Sequence, residues 1–158
     1  MTRKNNLILL ILFFALLEVT VLHNFRVFQA KPDLFLICVI VASLYFEVEY
    51  ALGIGLLCGG LKDVFGIGSF GLNTLLFPVI SFLIMKISRK LVLNDTPVLC
   101  AAVFIVSFFY YILSRIALIY LGTAISFWTF LRVSFFESLY TAAIFPLALK
   151  LIKRTIRL

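Results

Sequence analysis

Apolar residues fill the chain in long blocks, and polar or charged residues are gathered into short breaks between them. A helix rises 1.5 Å per residue, so crossing a hydrocarbon core of about 30 Å takes about 20 apolar residues. Blocks at residues 6–22, 72–85, 98–121 and 131–149 are read as spans one, four, five and six. Residues 34–46 and 50–61 form two shorter blocks, parted by Glu47 and Glu49. As helices of about 20 Å these two either cross as thin spans or dip in and return as a re-entrant hairpin, with any irregular backbone shielded by protein. The expected architecture is an all-α integral membrane protein: one polytopic domain over residues 1–158, a bundle of six transmembrane helices with two of them short.

The breaks carry helix signals. Pro32 suits a first turn, where its missing N–H costs nothing, and Asp33 suits the positive end of a helix dipole. Asp95 or Thr96 is placed to cap span five, with Pro97 just inside it. Pro78 and Pro146 fall within spans four and six, where each removes a backbone hydrogen bond and shapes its helix or gives it a hinge.

Composition turns this pattern into a statement about solvent. The 158 residues are 64% apolar and only 13% charged, whereas a soluble domain is nearer half apolar and a quarter charged. So few charges cannot cover a core in water. The lipid bilayer is therefore the expected surroundings, and a soluble enzyme or nucleic-acid module is excluded. The surplus of 14 Lys+Arg over 7 Asp+Glu reads as cytoplasmic loop charge rather than a nucleic-acid footprint. With the N-terminus inside, Arg3, Lys4, Lys86, Arg89, Lys90, Lys150, Lys153, Arg154 and Arg157 fall on the cytoplasmic side. Arg26, Lys31, Lys62 and Arg132 fall outside, so both termini are expected in the cytoplasm. Run one follows Arg3 and Lys4 as a signal peptide's would, but lacks a clear small-residue cleavage site, so it is read as a retained helix. Tyr120, Phe127, Trp128 and Phe130 fall where an outer aromatic belt is expected.

Candidate chemistry is sparse. Gly66, Gly68 and Gly71 spell G-x-G-x-x-G, yet no strand precedes them and no acid follows at the spacing a dinucleotide site needs, so they read as a loop. His23 is the sole histidine, and Cys38, Cys58 and Cys100 are scattered through apolar runs, where they read as buried thiols. No catalytic group, metal site or cofactor is expected. Gly53, Gly55, Gly59 and Gly60 form a small-residue stripe that admits a second backbone, from this chain or from a partner. Ionisable residues inside spans face a protein interior or a polar cavity. Glu18, Arg115 and Glu137 are expected about 6–9 Å inside the outer ends of spans one, five and six, with Asp63 closing span three on the same side. They form an internal charge network or line a polar pocket open to the outside, while Lys62 is expected to snorkel to the interface.

Several of these residues carry a family resemblance. Pro32-Asp33-Leu34, then Gly53-x-Gly55, then Gly60-Leu61-Lys62-Asp63-Val64-Phe65-Gly66 and Gly71-Leu72-Asn73, resemble the rod shape-determining protein MreD family. Phe145-Pro146 followed by a basic tail resembles that family's last helix, and length and span count agree. Lys62 departs from the pattern, in which an apolar residue commonly precedes the Asp. The resemblance implies a non-enzymatic subunit of the bacterial inner membrane that binds the bitopic protein MreC. It also implies a place in the elongation machinery with MreB, RodA and a class B penicillin-binding protein, helping to position or regulate peptidoglycan synthesis. Gly53, Gly55, Gly59, Gly60 and Asp63 are the expected partner contacts. The family is similar in fold to the S components of energy-coupling-factor transporters, and a substrate-binding subunit of a vitamin transporter is the alternative reading.

Overall fold

The computed structural model describes residue 13 and residues 32–65, 71–88, 96–122 and 126–156. Five helices lie among these residues: α1 (Leu34–Tyr45), α2 (Val48–Phe65), α3 (Leu72–Ser88), α4 (Thr96–Tyr120) and α5 (Phe127–Ile156). Apart from Phe13, the expected span over residues 6–22, and with it Glu18, lies outside the described residues, as do His23, Gly66 and Gly68. The other five expected spans each coincide with a helix.

Two sets of boundaries differ from expectation. Helix α2 runs on to Phe65, so Lys62 and Asp63 sit inside its last turn rather than beyond it. Both side chains find partners within the protein, which removes the reason for the helix to stop before them. Helix α5 is 30 residues long and begins at Phe127, where the Ser126 carbonyl accepts the first intrahelical bond from Phe130 at 2.9 Å. Its aromatic opening and its basic close both continue as helix. Pro78 and Pro146 lie inside α3 and α5 without ending either. Pro32 is outside α1, which is capped by Asp33: the Asp33 carboxylate accepts from Leu36 N at 3.0 Å.

Helix α1 is apolar around its whole circumference, and every residue from Leu34 to Ser43 is buried. Such a helix belongs in the middle of a bundle. It touches α2, α3, α4 and α5, and the core of Phe35, Ile37, Phe77, Tyr110 and Phe145 is built around it.

Side-chain bonds fix relative heights. Ser43 Oγ meets Ser81 Oγ at 2.8 Å, near the lower end of α1 and the middle of α3. Asp33 meets Lys62, and Asp63 meets Asn73, at the upper ends. Helices α1 and α3 therefore run parallel, with α2 antiparallel to both. Tyr110 of α4 is bonded at the same upper level. Beyond it α4 continues for ten residues to Tyr120, about 15 Å, and α5 takes fourteen residues from Phe127 to Thr141, about 21 Å. Two tall helices thus stand above three short ones.

Pro97–Tyr120 and Phe127–Ile152 are long and apolar enough to cross a membrane, whereas Leu34–Tyr45 and Leu72–Lys86 are apolar but shorter. Tyr120 and Trp128, 89% and 80% exposed, mark the upper ends of the tall pair. Phe130 does not join that exposed set; it is buried and stacks on Phe127 with ring centroids 6.4 Å apart. At the opposite end Lys86, Lys150 and Arg154 are exposed.

Candidate functional site

The upper ends of α1, α2 and α3 meet α4 and α5 in a polar layer enclosed by the apolar core. Asp63 is its best-connected member. One carboxylate oxygen accepts from Asn73 N at 3.1 Å and Asn73 Nδ2 at 2.8 Å. The other accepts from Thr74 N at 2.8 Å and Thr74 Oγ1 at 2.6 Å. Asn73 and Thr74 are the second and third residues of α3, whose first intrahelical bond ends on the Gly71 carbonyl. Their N–H groups are the donors that a helix's own N-cap side chain normally satisfies. Gly71 has no side chain and sits at φ +94°, so the cap is supplied from α2 instead.

That cap requires α2 and α3 to approach closely, and the glycines determine how closely. A Cβ at Gly59 would lie 2.5 Å from the Asn73 carbonyl oxygen and 2.7 Å from Thr74 Cα. One at Gly55 would lie 3.2 Å from Pro78 N. Gly55, Gly59 and Asp63 therefore form a single face, one turn apart, turned onto α3. Gly53 and Gly60 lie on another side of α2: a Cβ at Gly53 meets nothing within 4 Å, and one at Gly60 meets only Thr74 Oγ1 at 3.9 Å. The stripe read from the sequence thus divides into an inward pair and an outward pair.

Lys62 does not snorkel. Its ammonium is paired with the Asp33 carboxylate and donates to Tyr110 Oη at 3.1 Å, and it lies 4.9 Å and 5.3 Å from the ring centroids of Tyr110 and Phe77. Tyr110 donates onward to Asn73 Oδ1, which links this pair to the Asp63 cap. The ion pair is enclosed, with side-chain exposures of 18% for Lys62 and 3% for Asp33. Removing either partner would strand the other charge in a medium that solvates it poorly.

The Arg115–Glu137 pair expected from the sequence is present, with Nη2 donating to Glu137 Oε2 at 2.8 Å. Arg115 Nε makes no hydrogen bond among the described residues, so the contact uses one prong of the guanidinium. Because α5 starts at Phe127, Glu137 lies ten residues from that end, about 15 Å, deeper than the 9 Å expected. One turn further on, Thr141 Oγ1 donates to the Glu137 carbonyl at 2.7 Å, accepts from Asp33 N at 3.3 Å, and lies 3.3 Å from Tyr111 Oη. Hydrogen bonds thus link Arg115, Glu137, Thr141, Asp33, Lys62, Tyr110, Asn73 and Asp63 across all five helices, with Thr141 joining the two ion pairs through the backbone of Glu137 and Asp33.

Sequence reasoning singled out the ends of this chain and missed its middle. Tyr110 and Thr141 are uncharged residues that no motif distinguishes, and Asn73 stood in the Gly71-Leu72-Asn73 stretch without a role. The available signal was the opposite charges of Asp33 and Lys62, at the ends of two short helices that follow one another in the chain. No group of three or more His, Cys, Asp or Glu residues among the described residues is arranged to hold a metal ion.

Comparison with curated proteins gave no match, nor did comparison with solved structures. A family model does match, described as rod shape-determining protein MreD, and it covers residues 1–155. With essentially its whole length matched, the chain belongs to the rod shape-determining protein MreD family.

Proposed function

We propose that this rod-shape-determining membrane protein is a non-enzymatic scaffold of the inner membrane, a single polytopic domain with both termini in the cytoplasm. In this reading residues 6–22 supply a sixth helix to the bundle. The outward side of α2 grips the single membrane helix of an MreC-like bitopic protein and so helps to position or regulate the elongation synthases. The observation that carries the reading is the family match over residues 1–155. The geometry supports a positional role, because two ion pairs and the Asp63, Asn73 and Tyr110 hydrogen bonds tie the five helices to one another.

In this reading the partner sits on the outward side of α2. Gly55, Gly59 and Asp63 are engaged with α3, so in this reading they shape the platform from within. Gly53 and Gly60 share a stripe with Leu57 and Val64, both exposed. That stripe offers a shallow small-residue track of the kind that lets two helices approach in lipid. Affinity purification from native membranes, with the bound proteins identified, tests the assignment. Gly53→Leu with Gly60→Leu should abolish recovery of the bitopic partner while the purified protein unfolds as the wild type does. Undiminished recovery from that folded variant would remove α2 as the docking helix.

A further inference from the structure

The unequal heights of the helices bear on the bilayer itself. Along α4 the exposed apolar residues run from Val98 through Ile105 and Phe109 to Tyr120, a height of about 33 Å. This matches a hydrocarbon core of about 30 Å. Along α3 the exposed apolar residues run only from Leu75 through Val79 and Phe82 to Leu83, with exposed Lys86 below them. From Leu75 to Lys86 is about 17 Å. Above Leu75 come Thr74 and Asn73, committed to Asp63, and then the turn at Gly71. The two helices are level, because Tyr110 of α4 bonds Asn73 of α3. The shortfall therefore lies wholly on the upper side of α3.

A helix too short for its bilayer has few remedies. Tilting helps only helices that are too long, and the tall α4–α5 pair already fixes the tilt of the body. Snorkelling needs a long cationic side chain at the upper end of α3, and the residues there are Leu72, Asn73 and Thr74. What remains is association with another helix or adjustment of the lipid, and for the protein alone in a vesicle it is the lipid that adjusts. We propose that the chain thins the upper leaflet along the exposed face of α3, giving the protein one flank of ordinary bilayer thickness and one thin flank. Thin bilayer draws in helices with short apolar stretches, so such a flank sorts the neighbours of this protein by span length.

Tryptophan depth tests the proposal directly, because Trp128 is the sole tryptophan. In a Trp128→Phe background, Leu75→Trp and Phe109→Trp place single reporters on outward positions at nearly equal height on α3 and α4. Full-length protein is reconstituted in phosphatidylcholine vesicles with 18-carbon monounsaturated chains. Quenching by lipids brominated at different acyl positions then gives each reporter's distance from the headgroups. The reporter at position 75 should lie near the headgroups and the one at 109 deep in the acyl region. The gap should narrow in vesicles of 14-carbon chains, which are already thin. Equal depths in the 18-carbon vesicles would overturn the proposal. Val79→Trp and Ile105→Trp form a second matched pair, one turn lower, for use if either first variant loses the wild-type unfolding transition.

Discussion

Replacing Gly59 by Ala adds one methyl group at the tightest of the described glycine positions. Its Cβ would start 2.5 Å from the Asn73 carbonyl oxygen and 2.7 Å from Thr74 Cα, both backbone atoms that no rotamer change can move. Comfortable non-bonded contact needs about 3.5 Å, so α2 and α3 must part by about 1 Å. Overpacking of this kind costs about 1–3 kcal/mol. One turn further on, the same displacement stretches four hydrogen bonds to Asp63 that now measure 2.6–3.1 Å. Hydrogen bonds to a charged group are each worth about 1.5–3 kcal/mol net in water-soluble proteins. Partial loss of the set adds about 1–2 kcal/mol on the same scale. Against this, Ala is a better helix former than Gly by about 0.5–1 kcal/mol. Gly53 is the internal control, because a Cβ there meets nothing within 4 Å and only the propensity gain should remain. Unfolding in mixed micelles should place Gly59→Ala about 2–4 kcal/mol below the wild type and Gly53→Ala at or slightly above it. Equal stability of the two variants would refute the reasoning that close α2–α3 contact depends on Gly59.

Other substitutions probe the polar layer. Arg115→Leu leaves Glu137 without its partner and should cost about 3–5 kcal/mol and lower folded yield in detergent, whereas adding Glu137→Leu should recover a large part of that loss; a double variant no better than the single would show that the charges are not coupled. Asp33→Asn retains a good cap for α1 but removes the charge beside Lys62, so it should be milder than Asp33→Ala by about 1 kcal/mol when both are unfolded side by side. For Asp63, Asn keeps one acceptor and Ala keeps none, so Asp63→Ala should lose more stability than Asp63→Asn, and helix content should fall as the first turn of α3 frays. Fluorescent-protein and alkaline phosphatase fusions at the C-terminus should report it as cytoplasmic; phosphatase activity there would reverse the assignment of the Tyr120 and Trp128 end to the outer face.

How far the fold could be read in advance depended on which force set each element. Hydropathy located α1, α3 and α4 closely, because lipid and core both demand unbroken apolar runs. It failed at the ends of α2 and α5, where charged or aromatic residues suggested a boundary and the chain stayed helical. Lys62 shows the limit most clearly. Exposed, it would snorkel; here Asp33, 29 residues earlier, lies within reach of it, and only the packing of α1 against α2 brings the two together. The Arg115–Glu137 pair was legible because two opposite charges stood at similar depth in neighbouring spans. Tyr110, Asn73 and Thr141 were not, since neutral hydrogen-bonding side chains leave no trace in a hydropathy profile. The glycine stripe was seen, but its division into an inward and an outward pair depends on which side α3 packs against, and that is a tertiary fact.

The carboxylate that closes the first turn of α3 belongs to another helix, which has a consequence for biogenesis. Gly71, which opens α3, has no side chain to close the first turn, so the Asp63 carboxylate closes it once α2 lies alongside. The ribosome delivers α2 first, and its carboxylate is already in place when the next segment leaves the translocon. The two segments are therefore expected to enter the membrane as a hairpin, and α3 should insert less completely when the segment encoding α2 is removed.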